Sequence, residues 1–315
     1  MVERCVHIAK VAGPIPATPT MKIHFTLERI KTRDGIELDG VFAEPKRKSG
    51  KALIFVHGLG GNFYGGHQNM LTLADFCYRN GIAFVSFNTR GHDVVSRFYK
   101  KQRKTKKRML GGAGFERFEH CVYDIDACIR FVRSQGYKKV FLAGHSTGAN
   151  KVLYYLYKTC DRRVAGLALL GPLSDVVGQM KELGRRFNAV LKKVKKFSKY
   201  HMDELVPSKI NSRIITARRY LSLYTPGSRE DVFQYYNPKG KFKELKSVKV
   251  PVLVVVGEKD EYLDRKAEEL VQAFENNADS TKDFRSAVIR NTGHNFTKKE
   301  KILARVIVEW VKSIK

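Results

Sequence analysis

Near the start of the chain, residues 23–31 and 36–43 alternate apolar and polar positions, the mark of half-buried strands. Asp34-Gly35 between them predicts a hairpin turn. The pattern then changes. Residues 52–56, 83–88, 140–143, 164–170 and 252–256 are nearly continuous apolar runs, as strands buried on both faces of a parallel sheet require. Residues 284–289 fit a last strand. Between these runs, the sequence predicts helices over 66–78, 114–133, 147–157, 264–275 and 298–313. In the last of them Ile302, residues 304–307, Trp310 and Val311 form one apolar stripe. Strands alternating with helices of this length imply an α/β fold, a mostly parallel sheet flanked by helices on both faces.

Two stretches break the rhythm, residues 91–113 and 172–248. The second is helical in pattern and too long for a loop, so it reads as a helical cap inserted after the sixth strand. The expected organisation is a core of residues 21–171 and 249–315, a cap or lid over 172–248, and a loose extension over 1–20. Residues 5–11 are too short and too polar for a signal peptide, and Pro14, Pro16 and Pro19 then oppose regular structure. Met21 opens the first convincing strand, and a chain beginning there is expected to remain fully active.

The strongest chemical signal is Gly144-His145-Ser146-Thr147-Gly148, between the strand 140–143 and the helix that begins near Thr147. A G-x-S-x-G turn in that setting exposes its serine hydroxyl on a sharp bend at the carboxyl edge of the sheet. Ser146 is therefore the candidate nucleophile. His57-Gly58-Leu59-Gly60-Gly61 follows the strand 52–56. A glycine-rich loop there can turn a backbone amide toward a substrate oxygen. The amides of Leu59 and Thr147 are the expected oxyanion donors.

A serine hydroxyl needs a base. His294 lies in the loop after the last strand, and of the nine histidines it has the right place in the chain order serine, acid, histidine. The acid should follow the strand 252–256, where Gly257-Glu258-Lys259-Asp260-Glu261 offers three carboxylates with Asp264 nearby. Asp260 is the choice, three residues past Gly257, with Glu258 and Asp264 as alternatives. Arg90, His92 and Asp93 follow another strand and read as loop buttresses. His57 and His145 read as packing and hydrogen-bonding groups beside the site.

These residues resemble the α/β-hydrolase superfamily over nearly everything after Met21. More narrowly, Phe87-Asn88-Thr89-Arg90-Gly91-His92-Asp93, Gly144 to Lys151, and Ile215 to Leu223 resemble a branch related to the fungal siderophore esterases. The resemblance implies a triad of Ser146, Asp260 and His294 and hydrolysis of a carboxylic ester or related acyl bond, with no cofactor. Amidase, peptidase, thioesterase and acyltransferase chemistry on the same triad are the alternatives.

Charge adds a second theme. The 315 residues hold 59 Lys and Arg against 31 Asp and Glu, a net charge of +28. Such a field attracts nucleic acid, anionic membrane surfaces or acidic small molecules. It is dense in residues 97–108, with eight basic residues and no acid, a departure from the family pattern. Residues 181–199 carry eight more around an apolar stripe of Leu183, Phe187, Val190, Leu191, Val194 and Phe197. That stripe is expected to cover the active site as a cap helix, with an acyl group beneath it and a basic rim attracting an anionic substrate. A nucleic-acid- or anion-binding protein on a hydrolase scaffold is the reading from another class.

The five cysteines, Cys5, Cys77, Cys121, Cys128 and Cys160, are odd in number and lack C-x-x-C spacing. Reduced thiols and a cytoplasmic location are expected. The His and Cys residues show no metal-ligand spacing. No apolar run approaches the ~20 residues of a transmembrane helix.

Overall fold

A computed structural model describes residues 23–65, 68–102 and 105–315. The expected extension 1–20 and Met21 lie outside the described residues, as do Arg103 and Lys104 of the basic stretch. β1 (Thr26–Lys31) and β2 (Glu37–Ala43) pair antiparallel. Their turn is closed by Gly35 at φ 89°, a conformation glycine adopts without steric cost. β3 (Lys51–Val56) and β4 (Ala83–Phe87) pair parallel in the buried centre. β5 (Ser96–Gln102) and β6 (Thr105–Gly111) form a separate antiparallel ribbon. β7 (Lys139–His145), β8 (Val164–Leu170), β9 (Val252–Gly257) and β10 (Phe284–Ile289) continue the parallel set. The main sheet runs β1-β2-β4-β3-β7-β8-β9-β10, antiparallel at β1–β2–β4 and parallel beyond.

Alternate residues of the central strands serve opposite layers. Ala52, Ile54 and Val56 belong to one apolar cluster, with α2 (Cys121–Ser134), α3 (Thr147–Thr159) and α8 (Ala267–Glu275). Leu53 and Phe55 belong to the other, with α1 (Gln68–Arg79) and α9 (Glu300–Ser313). Both faces are covered, which is why these strands read as unbroken apolar runs.

The ribbon β5–β6 occupies most of what the sequence showed as an interruption at 91–113. Phe98 is buried opposite Met109, which packs on the core, while Lys and Arg fill half of the other positions. With one inward pair, no alternation marks the strands. The helix expected from residue 114 begins instead at Cys121, after a 3-10 turn.

After β8, the sixth strand of the main sheet, the chain leaves the sheet for α4 (Asp175–Leu183), α5 (Phe187–Ser198), α6 (Ala217–Tyr224) and the short α7 (Lys243–Lys246) before returning as β9. The expected continuous basic helix is broken at Gly184, which sits at φ 52°. Its apolar stripe also faces elsewhere than expected. Phe187, Leu191 and Val194 close a cluster with Val176, Tyr220 and Tyr224 inside the insertion. The stripe's own partners are here, so it is not left over the sheet edge.

Cys77, Cys121 and Cys128 are buried and Cys160 is exposed, all four as free thiols. No described helix is long and apolar enough to cross a membrane.

Candidate active site

β7 ends at His145, and the next residue turns sharply. Ser146 has φ 55° and ψ −127°, a conformation that costs on the order of 1–3 kcal/mol for a side-chain-bearing residue. The surroundings hold it there. Its amide donates to Leu170 O at 2.9 Å, and its carbonyl accepts from Ala149 N at 2.8 Å. The neighbouring chain passes so closely that a Cβ on Gly58 would meet Ser146 Cβ at 2.9 Å. Added Cβ atoms on Gly144 and Gly148 would run into the backbone of Gly148 and of Val56. Small residues are thus a steric condition of this turn.

His294 follows β10, and its Nδ1–H donates to Asp260 Oδ2 at 2.7 Å. The pair is buried, with 7% and 0% of the side chains exposed. Asp260 Oδ1 accepts the Tyr262 amide at 3.0 Å, which orients the carboxylate. Since a carboxylate only accepts, the contact places the proton of a neutral ring on Nδ1 and the free lone pair on Nε2. The other acids nearby are occupied elsewhere. Glu258 accepts the Asn291 amide at 2.7 Å, Glu261 accepts the His294 amide at 2.9 Å, and Asp264 pairs with Arg265 at 3.0 Å. Of the sequence candidates, Asp260 alone is paired with the ring.

Ser146, His294, Leu59 and His57 line one cavity of about 500 Å³. Among the described residues, neither the Leu59 nor the Thr147 amide donates to another protein group. His145 lies beside His294 with ring centroids 4.9 Å apart and donates from Nε2 to its carbonyl at 3.0 Å, steadying that loop. His57 accepts the Thr89 amide on Nε2 at 3.0 Å, so Nδ1–H donates to Gly58 O at 2.9 Å. Burial and the nearby Lys151 push its pKa down to about 3, and it stays neutral. Arg90 is paired with Asp124 at 2.7 Å and with Asp34 at 3.0 Å. Asp93 accepts from Asn62 at 2.6 Å and from the Tyr64 hydroxyl, tying down the loop after β3. His92 Nδ1 lies 2.8 Å from the Thr89 carbonyl.

Sequence reasoning missed the layer beneath. Lys151 on α3 pairs with Glu116 at 2.7 Å and donates to Thr89 Oγ1 at 3.3 Å. Glu116 lies 3.4 Å from Arg219 of α6, which pairs with Glu230 and donates to Ala113 O at 3.0 Å. All four charged side chains are at most 1% exposed. Lys151 and Arg219 stand inside two of the three stretches that carried the family resemblance, but no spacing pairs residues 116, 151, 219 and 230.

The expected basic rim is corrected by the cavity lining. Among the described lining residues Arg213 is the one Lys or Arg, and it is already paired with Glu182 and the Tyr224 hydroxyl. The exposed lysines of α5 do not reach the cavity because that helix packs its apolar side within the insertion.

The sheet order, the turn at Ser146 and the helical insertion define the α/β-hydrolase fold. Solved structures agree: the siderophore hydrolase EstB from Aspergillus fumigatus superposes with a TM-score of 0.68 at 16% identity, over 94% of this chain and 99% of that one. An esterase of Pyrococcus furiosus gives 0.60 at 16%, over 93% and 92%. Est1E of Butyrivibrio proteoclasticus, solved with ferulic acid bound, gives 0.54 at 15%, over 90% and 98%. Within that fold, residues 101–314 match the family described as protein of unknown function (DUF1749), and the chain belongs to it. No curated protein matches the sequence.

Proposed function

We propose that this chain is a serine hydrolase that cleaves a carboxylic ester through an acyl-enzyme, with Ser146 as nucleophile, His294 as base and Asp260 as the acid that orients it. The observation that carries the reading is the strained Ser146 turn opening on the same cavity as a histidine whose Nδ1 is held by a buried carboxylate. The solved neighbours include an esterase of Pyrococcus furiosus and a siderophore hydrolase, and that supports the reading as an ester-cleaving enzyme.

In the first step Ser146 Oγ attacks the ester carbonyl carbon and its proton passes to Nε2 of His294. The Leu59 and Thr147 amides stabilise the oxyanion, each worth about 3–4 kcal/mol in comparable sites. Collapse breaks the C–O bond, and the alcohol leaves with the His294 proton. Water then attacks the acyl-enzyme with His294 again as base, releasing the acid and restoring the serine. The helical segment 172–248 acts as a lid over the sheet edge, supplying part of the cavity wall through α4 and Tyr224.

The test is a fluorophosphonate probe on purified protein, with the labelled peptide found by mass spectrometry. Labelling of Ser146 that vanishes in Ser146→Ala supports an activated nucleophile. A folded protein that never labels, and hydrolyses no ester, overturns the reading. Rates on ester, thioester and amide forms of one acyl group then separate the esterase from its sister chemistries.

A further inference from the structure

One face of α4 turns toward the cavity. Asp175, Gly178, Gln179 and Glu182 line it, spaced as a single helical stripe, while Val176 and Val177 point into the core. Glu182 is paired with Arg213. The Asp175 carboxyl has no hydrogen-bond partner among the described residues, and its Oδ2 is fully enclosed. Gln179, one turn on, is 4% exposed, and its Oε1 also lacks a partner. Buried polar groups in folded proteins are nearly always satisfied by protein, water or ligand, so two acceptors that the protein leaves open on one wall of a cavity are available to a ligand's donors. Between them Gly178 leaves open space, with no atom within 4 Å of where a Cβ would stand.

The charge balance says what kind of ligand. Arg213 is neutralised by Glu182, and Arg219 is committed to Glu230 and Glu116. Asp231, close behind, is satisfied by Ser174 at 3.2 Å and Tyr236 at 2.7 Å without a cationic partner. Asp175 is thus an unpaired acid in a locally acidic wall, inside a protein whose net charge is +28. The surplus cations of the surface do not reach it.

We propose that Asp175 and Gln179 form a subsite for an ammonium group on the substrate, making this an enzyme for amine-bearing esters. A primary ammonium has three donors, enough to bridge a carboxylate and an amide oxygen one helical turn apart. The Asp175–ammonium pair would be a charge-assisted bond in a shielded site. This inference rests on the ester-cleaving reading of Ser146.

The experiment measures kcat/KM on p-nitrophenyl esters of one chain-length series, each in three forms: unsubstituted acyl, ω-amino acyl and ω-carboxy acyl. The ω-amino ester of the best length should exceed its unsubstituted partner at least tenfold, and the ω-carboxy ester should be the poorest. In Asp175→Asn the amino-to-unsubstituted ratio should fall to near one, and in Gln179→Leu it should fall in part. A ratio near or below one in the natural protein, or one unchanged in both variants, overturns the subsite. If the unsubstituted esters turn over and Ser146 labels, such a result leaves the esterase reading standing. If nothing turns over or labels, the esterase reading fails instead, and the subsite is judged by titrating hexylamine calorimetrically. Saturable binding that Asp175→Asn removes supports it, and no binding overturns it.

Discussion

Replacing Asp260 by Asn changes one atom type at an enclosed position. An amide presenting its NH2 to His294 would favour the tautomer with the proton on Nε2, the nitrogen needed as base. The expected outcome is a fall in kcat of about 10⁴-fold with the cavity geometry kept, read by steady-state kinetics beside an unchanged circular dichroism spectrum. His57 makes a different prediction. Its imidazole is buried and neutral, with a pKa lowered from 6.5 to about 3, among Lys151, Glu116 and His92. The stability this histidine contributes is present in full above 6.5 and is lost as pH falls from there toward 3. His57→Gln should therefore flatten the decline of the urea midpoint between neutral and acid pH, whatever it does to the midpoint itself. An equally steep decline in the variant would show that other groups set the acid response. Asp175 has the opposite sign. Burial and Glu230 raise its pKa to about 7 from 3.8, so its contribution is present below 3.8 and lost as pH rises through 7. Asp175→Asn should gain on the natural protein as pH rises from acid to mildly basic, by up to about 4 kcal/mol.

Among the elements, α6 is anchored by a buried charge. Arg219 is fully buried and ties it to Glu230 and, through Glu116, to Lys151 at the base of α3. Arg219→Met leaves Glu230 without a cation and Glu116 with Lys151 alone in a buried layer, and breaking such a buried pair costs about 3–5 kcal/mol. Arg219→Met with Glu230→Gln should recover part of that loss in urea denaturation, because the uncompensated charge goes with it. The turn after β8 is a second sensitive element. Gly171 sits at φ 55°, and a Cβ there would come within 3.0 Å of the His294 ring. Gly171→Ala should lower kcat by displacing the ring while Ser146 still labels with the probe, though more slowly.

At the scale of the whole molecule the surplus of positive charge opposes compaction. The ribbon shows it locally: Lys100 lies opposite Lys107 and Lys101 opposite Lys106, and like charges across a ladder are unfavourable. Glu37 relieves one of these through its 2.9 Å bridge to Lys106. Repulsion between exposed charges is screened by salt, so raising NaCl from about 20 mM to about 200 mM should raise the melting temperature. A melting temperature that falls with salt would mean that attractive pairs outweigh the repulsion.

The sequence by itself determined the parallel sheet, its helical layers, the turn at Ser146 and the order in which His294 follows a carboxylate-rich loop. Each is a local matter: burial on two faces enforces an apolar run, and a tight turn enforces small residues. It could not choose among Glu258, Asp260 and Asp264 on physical grounds beyond position, because which of them meets an imidazole 30 or more residues away depends on how two loops cross. Nor could it show the ribbon, whose inward positions are nearly all outnumbered by charge, or the buried Glu116–Lys151–Arg219–Glu230 layer. Most of all, net charge misdirected the reading of the cavity. Charge counts along a chain sum over a surface, whereas a cavity is lined by the few side chains that packing turns inward. Here packing turned inward an unpaired acid, Asp175, and left the lysines of α5 in water.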